Sequence, residues 1–91
     1  MSVAENSTDS FRVDTELQNG AAILTVVGEL DLATAPILQD AVDAVRNEAT
    51  EALVVDLTGV DFLASAGMTV LVQSHQSVPD GVVFSVVATG A

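Results

Sequence analysis

The chain has 91 residues, no cysteine, no lysine, and thirteen acidic side chains against Arg12 and Arg46, giving a formal net charge of −11. That length supports a single domain, and the charge disfavours nucleic acid and anionic membrane as direct partners because both carry phosphate. With no cysteine and a lone His75 there is no disulfide framework, thiolate metal site or histidine cluster, and three Phe without Trp or Tyr offer little for stacking on bases.

Residues 1–9 are small and polar without periodicity and read as a flexible leader, with a single domain expected over 10–91. Phe11, Val13, Thr15 and Leu17 then alternate with Arg12, Asp14 and Glu16, the period of a half-buried strand over 11–17. Asn19-Gly20 supplies hairpin turn chemistry. The apolar, β-branched run from Ala22 to Gly28 suits a central strand over 21–28.

After Asp31 the spacing changes. Ile37, Leu38, Ala41, Val42 and Val45 fall on one helical face, with Thr34 as N-cap and Pro36 tolerated in the first turn. Residues 53–57, Leu-Val-Val-Asp-Leu, read as a short buried strand. Periodicity does not decide 65–77: Met68, Leu71, Val72 and His75 make a helical stripe, but Thr69, Val70 and Val72 are stiff at Cβ. Topology decides it, because the strand expected at 82–87 needs a crossover to lie parallel to its neighbour. The predicted order is therefore β-β-α-β-α-β, an α/β fold bordering on α+β, with helices on one face of a mixed sheet.

If both helices are crossovers, the carboxyl ends of the strands before them share one edge, placing Glu29-Leu30-Asp31 beside Leu63-Ala64-Ser65. Asp31 and Leu32 are then expected at a partner surface next to Ser65, and Asp31→Ala is expected to leave stability nearly unchanged. Ser65 reads first as an N-cap, with Gly67 allowing close packing and a functional role standing beside that one. As a cap, its replacement by alanine would cost about 0.5 to 2 kcal/mol. His75, ten residues along the same helix, lies about 15 Å away at 1.5 Å per residue, too far to act as its base. His75 is expected on a partly buried flank, without a role. Glu29, Asp31, Asp56 and Asp61 read as solvated or capping, and no phosphate-binding Gly-rich loop accompanies them.

The segments Gly28-Glu29-Leu30-Asp31, Leu53-Val54-Val55-Asp56-Leu57 and Asp61-Phe62-Leu63-Ala64-Ser65-Ala66-Gly67-Met68 resemble the STAS domain, and within it the bacterial anti-sigma factor antagonists. The resemblance runs from about Phe11 to the end. It implies a phosphoacceptor at Ser65, the motif glycine at Gly67, and partner contacts at Glu29, Asp31, Leu32, Ala64, Ser65, Gly67 and Met68. It further implies a cytoplasmic, non-enzymatic module without cofactor, which binds an anti-sigma factor serine kinase, releases a sigma factor and is reset by a phosphoserine phosphatase. The alternative is a constitutive STAS scaffold or transporter-associated subunit in which Ser65 only caps a helix. Ala64 and Ala66 depart from the family motif, standing where it has an acid and a second hydroxyl. The family domain continues past the last strand found here, so a domain incomplete at its C-terminus is expected, with uncovered apolar surface and self-association as consequences.

Overall fold

A computed structural model describes the backbone of residues 2–7 and all of residues 10–88. The elements are β1 (Ser2–Ser7), β2 (Phe11–Gln18), β3 (Ala21–Leu30), α1 (Ala35–Val45), β4 (Ala52–Leu63), α2 (Ser65–Ser77) and β5 (Val83–Val87). From Phe11 onward the order is the β-β-α-β-α-β expected. The stretch read as a leader behaves differently. Ser2–Ser7 pairs antiparallel with β2, from Ser2 opposite Leu17 to Ser7 opposite Arg12, while positions 1, 8 and 9 lie outside the described residues. Hydrophobic periodicity gives no warning of such a strand, because the edge of β2 offers backbone N–H and C=O groups to any extended segment.

The five strands form one sheet in chain order, β1-β2-β3-β4-β5, with β1 to β3 antiparallel and β3, β4 and β5 parallel. Asn19 and Gly20 both have positive φ, 52° and 86°, the backbone of a primed hairpin turn. The Gly20 carbonyl accepts hydrogen bonds from Thr50 N and Glu51 N, both 2.9 Å, and so ties the hairpin to the start of β4.

One face of the sheet holds the core. Phe11 and Val13 of β2, Ala22, Leu24 and Val26 of β3, and Leu53, Val55 and Leu57 of β4 are buried, and the residues between them are half-buried or exposed. From α1 the buried side chains are Ala35, Leu38, Ala41, Val42 and Val45, with Ile37 partly buried beside them. Each large aliphatic removed from water contributes about 1.5 to 3 kcal/mol before ordering entropy is set against it.

The packing face of α2 is rotated from the predicted stripe. Gly67, Val70, Leu71 and Ser74 are buried, whereas Met68 and Val72 are about half exposed and His75 is exposed. Small residues settle this choice. A Cβ on Gly67 would lie 2.6 Å from Leu30 Cγ, so the helix sits closer to the sheet there than any larger residue permits. At the other end of the same face, Ser74 satisfies its buried hydroxyl by donating to the Val70 carbonyl at 2.7 Å.

β4 runs six residues beyond its predicted end at Leu57, and two irregularities in its pairing explain the difference. The register jumps between Thr25/Asp56 and Val27/Gly59 and again between Gly28/Val60 and Glu29/Phe62. Each jump leaves an extra residue on β4, which breaks the alternation on which strand recognition depends. At the first, the Asp56 carboxylate accepts the Thr58 N–H at 2.9 Å, and the hydrogen bonds from Thr58 hold its pKa below the ordinary value.

Candidate functional site

The two pairings that end the β3–β4 ladder, Glu29 with Phe62 and Leu30 with Leu63, bring both predicted segments to one edge of the sheet. The Leu30 carbonyl then accepts the Ala64 N–H at 2.8 Å, stitching the end of β3 to the entrance of α2. Gly67 lies below this stitch, against Leu30 and Leu63. It is buried, so it supports the surface from beneath and has no side chain to present to a partner.

Asp31 follows β3 in a tight polar knot. Its Oδ1 accepts from Ala33 N at 3.0 Å, Thr34 N at 3.1 Å and Thr34 Oγ1 at 3.2 Å, and the Thr34 hydroxyl also lies 2.7 Å from the Glu29 carbonyl. The Asp31 N–H in turn donates to Thr34 Oγ1 at 2.9 Å. Thr34 occupies the N-cap of α1 as expected, but its hydroxyl turns back towards β3 and caps no helical N–H. The knot corrects the expectation that Asp31→Ala is structurally silent. The variant should lose about 0.5 to 2 kcal/mol in chemical denaturation, and Asp31→Asn, which keeps an acceptor, should lose less.

The knot holds the next residue out in solvent. Leu32 is 80% exposed, and across the edge Phe62 is 56% and Met68 50% exposed, with Leu63 beside them at 39%. Glu29 is also exposed and Ala64 half-buried. Leu63 stands at the edge where the sequence places it, whereas Phe62 has no expected place there because a strand ending at Leu57 does not reach it. The signal was the apolar pair itself, standing immediately before the helix.

Ser65 is the first residue of α2, one position inside the cap. The cap is Ala64, at φ −90° and ψ 169°, with no side-chain hydrogen bond. Its carbonyl accepts from Gly67 N at 3.0 Å and Met68 N at 3.2 Å, opening the helix through the backbone alone. The Ser65 side chain is exposed and has no hydrogen bond among the described residues, which corrects its reading as a helix cap. It therefore stands where unpaired N–H groups and the positive end of the helix dipole favour an anion. His75 lies ten residues along the same helix, stacked on Phe84 with ring centroids 5.4 Å apart. Among the described residues no group of His, Asp and Glu could hold a metal ion, and no helix is long and apolar enough to cross a membrane.

The STAS domain family model matches residues 12–90. The chain is 38% identical over 86 residues to the anti-sigma-F factor antagonist RsfB of two Mycobacterium tuberculosis strains, a match that covers 94% of this chain and 70% of the relative. Among solved structures, it is similar to an anti-sigma factor antagonist from Mycobacterium paratuberculosis, with a TM-score of 0.83, 36% identity, and coverage of 93% of this chain and 73% of the other. An antisigma-factor antagonist STAS domain from Rhodobacter sphaeroides shares the fold with a TM-score of 0.73 at 23% identity, covering 89% of each chain. The match over nearly the whole chain and the agreement in fold carry the same conclusion: the chain belongs to the STAS domain family.

Proposed function

We propose that this protein is an anti-sigma factor antagonist that docks on an anti-sigma factor through the edge around Ser65 and is switched off when Ser65 is phosphorylated. The observation that carries the reading is the Ser65 hydroxyl, exposed at the start of α2 with no hydrogen bond of its own and with exposed Leu32, Phe62 and Met68 on the same edge. Apolar side chains held in solvent favour burial against another protein, and relatives named as anti-sigma factor antagonists point to the kind of protein.

The chemistry belongs to the partner. An anti-sigma factor with serine kinase activity brings ATP, a bond forms between Ser65 Oγ and the γ-phosphorus, ADP leaves, and the hydroxyl proton passes to a base on the kinase. This chain acts as substrate and ligand, not as catalyst. The new phosphate carries about −1.5 to −2 charges into an apolar contact, where it must be desolvated, and docking ends. A phosphoserine phosphatase in the same cytoplasmic compartment restores the free hydroxyl.

Incubation with candidate anti-sigma factor kinases and ATP, followed by intact mass and peptide mapping, tests the assignment. One added phosphate mapped to Ser65 is expected. Phosphate on Thr58 or Thr69 alone would move the switch to another hydroxyl. Stable docking on a partner without any phosphotransfer would favour the constitutive scaffold.

A further inference from the structure

Between the end of β3 and the start of α1 the chain runs through Asp31, Leu32, Ala33 and Thr34, and these side chains divide sharply by role. Asp31 and Thr34 turn upon each other and upon the backbone. The carboxylate accepts the N–H groups of Ala33 and Thr34, while the Thr34 hydroxyl accepts the Asp31 N–H at 2.9 Å and donates to the Glu29 carbonyl at 2.7 Å. The backbone closes the same loop, because the Asp31 carbonyl accepts the Ala35 N–H at 2.8 Å. Leu32 does the opposite: at 80% it is the most exposed of the large apolar side chains among the described residues.

A single leucine on a protein surface is ordinary. This one differs in where it stands and how it is held. Glu29 and Leu30, which lead into the loop, pair with Phe62 and Leu63, so Leu32 projects at the edge that carries Ser65. Thr34 commits its hydroxyl to the loop and none of it to α1, whose first turn opens through the backbone, with the Thr34 carbonyl accepting the Ile37 N–H at 2.9 Å. We infer that Asp31 and Thr34 are positioning residues for docking: they hold Leu32 in the conformation in which it enters an apolar pocket of the anti-sigma factor. The inference rests on the docking reading given above and adds to it that Asp31 acts on the partner through Leu32. A leucine on a loose loop must be ordered as it binds, which subtracts from the affinity that its burial supplies, and the knot completes that ordering beforehand.

Valine keeps the shape of threonine without its hydroxyl, and serine keeps the hydroxyl, so the two substitutions at Thr34 separate hydrogen bonding from packing. The probe is a purified anti-sigma factor that binds the unmodified wild-type chain, titrated without ATP so that docking alone is measured. Leu32→Ala and Thr34→Val should each weaken binding about tenfold, whereas Thr34→Ser should bind within about twofold of the wild type. In a chain already carrying Leu32→Ala, adding Thr34→Val should change binding no further, while a merely structural role for Thr34 would lower affinity by the same factor with or without Leu32. In the free protein, Thr34→Val should speed amide hydrogen exchange at Asp31, Ala33 and Thr34 and leave β3 and α1 protected. The inference is overturned if Thr34→Val binds normally, if its effect persists without Leu32, if serine does not restore binding, or if exchange in the loop is unchanged. Normal docking by Leu32→Ala would remove it while leaving the docking reading in place. Failure of the wild-type chain to bind any anti-sigma factor would remove both.

Discussion

Gly28→Ala is expected to destabilise the protein by about 2 to 5 kcal/mol, combining backbone strain with overpacking. Gly28 has φ +112°, a conformation that L residues rarely adopt. An added Cβ would also collide with the Ser10 carbonyl oxygen and lie 3.1 Å from Phe11 Cα, and backbone cannot rotate away as a side chain can. Gly28 pairs with Phe11 on one side and Val60 on the other, so relief must come from moving the start of β2 or the far part of β4. Urea denaturation should show the loss as a lower midpoint with an unchanged slope. Retention of full stability would mean that β2 begins more loosely than its buried Phe11 implies.

The second large effect falls on binding. Ser65→Asp should weaken anti-sigma factor binding by tenfold or more, about 1.4 kcal/mol or greater, while leaving the midpoint of unfolding unchanged or slightly raised. Both halves follow from the position of Ser65 at the first turn of α2. A carboxylate there interacts favourably with the helix dipole, but it puts charge among the exposed apolar side chains of Leu32, Phe62 and Met68, the surface proposed to dock. Ser65→Ala should bind normally, take up no phosphate and lose less than about 0.5 kcal/mol, because the hydroxyl holds no cap to lose. Isothermal titration together with thermal melts separates the outcomes. Equal loss of binding in both variants would show that the partner grips the hydroxyl itself, and loss of stability in both would return Ser65 to a structural role.

Most of the fold could be read from residue order because the strongest signals are local. Asn19-Gly20 specifies a hairpin by its backbone preferences, and α1 shows a full apolar face from Leu38 to Val45. Elements were misjudged where tertiary contact overrides pattern. β4 continues through two register jumps that scramble its alternation, and α2 packs by Gly67, Val70, Leu71 and Ser74, leaving Met68 and Val72 of the expected stripe exposed. The site followed the same division. Its location at the shared strand ends was legible from topology, and Leu32 and Met68 are exposed there. The close approach that Gly67 allows was legible too, but the parts played by Asp31 and Ser65 were not, since hydrogen bonds decide which residue caps and which stays free.

The carbonyl of Gly20 accepts from the first residues leading into β4, at the end of the ladder farthest from Ser65. Alignment of the parallel pair is thereby anchored at one extremity and delivered at the other. Substitutions near Ser65 act where they stand, but an insertion or deletion between Arg46 and Glu51 acts at a distance. If the anchor holds, the connecting loop must absorb the change. If it slips by one residue, every side chain of β4 turns to the opposite face, and Phe62 and Leu63 exchange places in the docking surface. Length in that connection is therefore under tighter constraint than its mostly exposed residues, among which only Ala49 is buried, suggest.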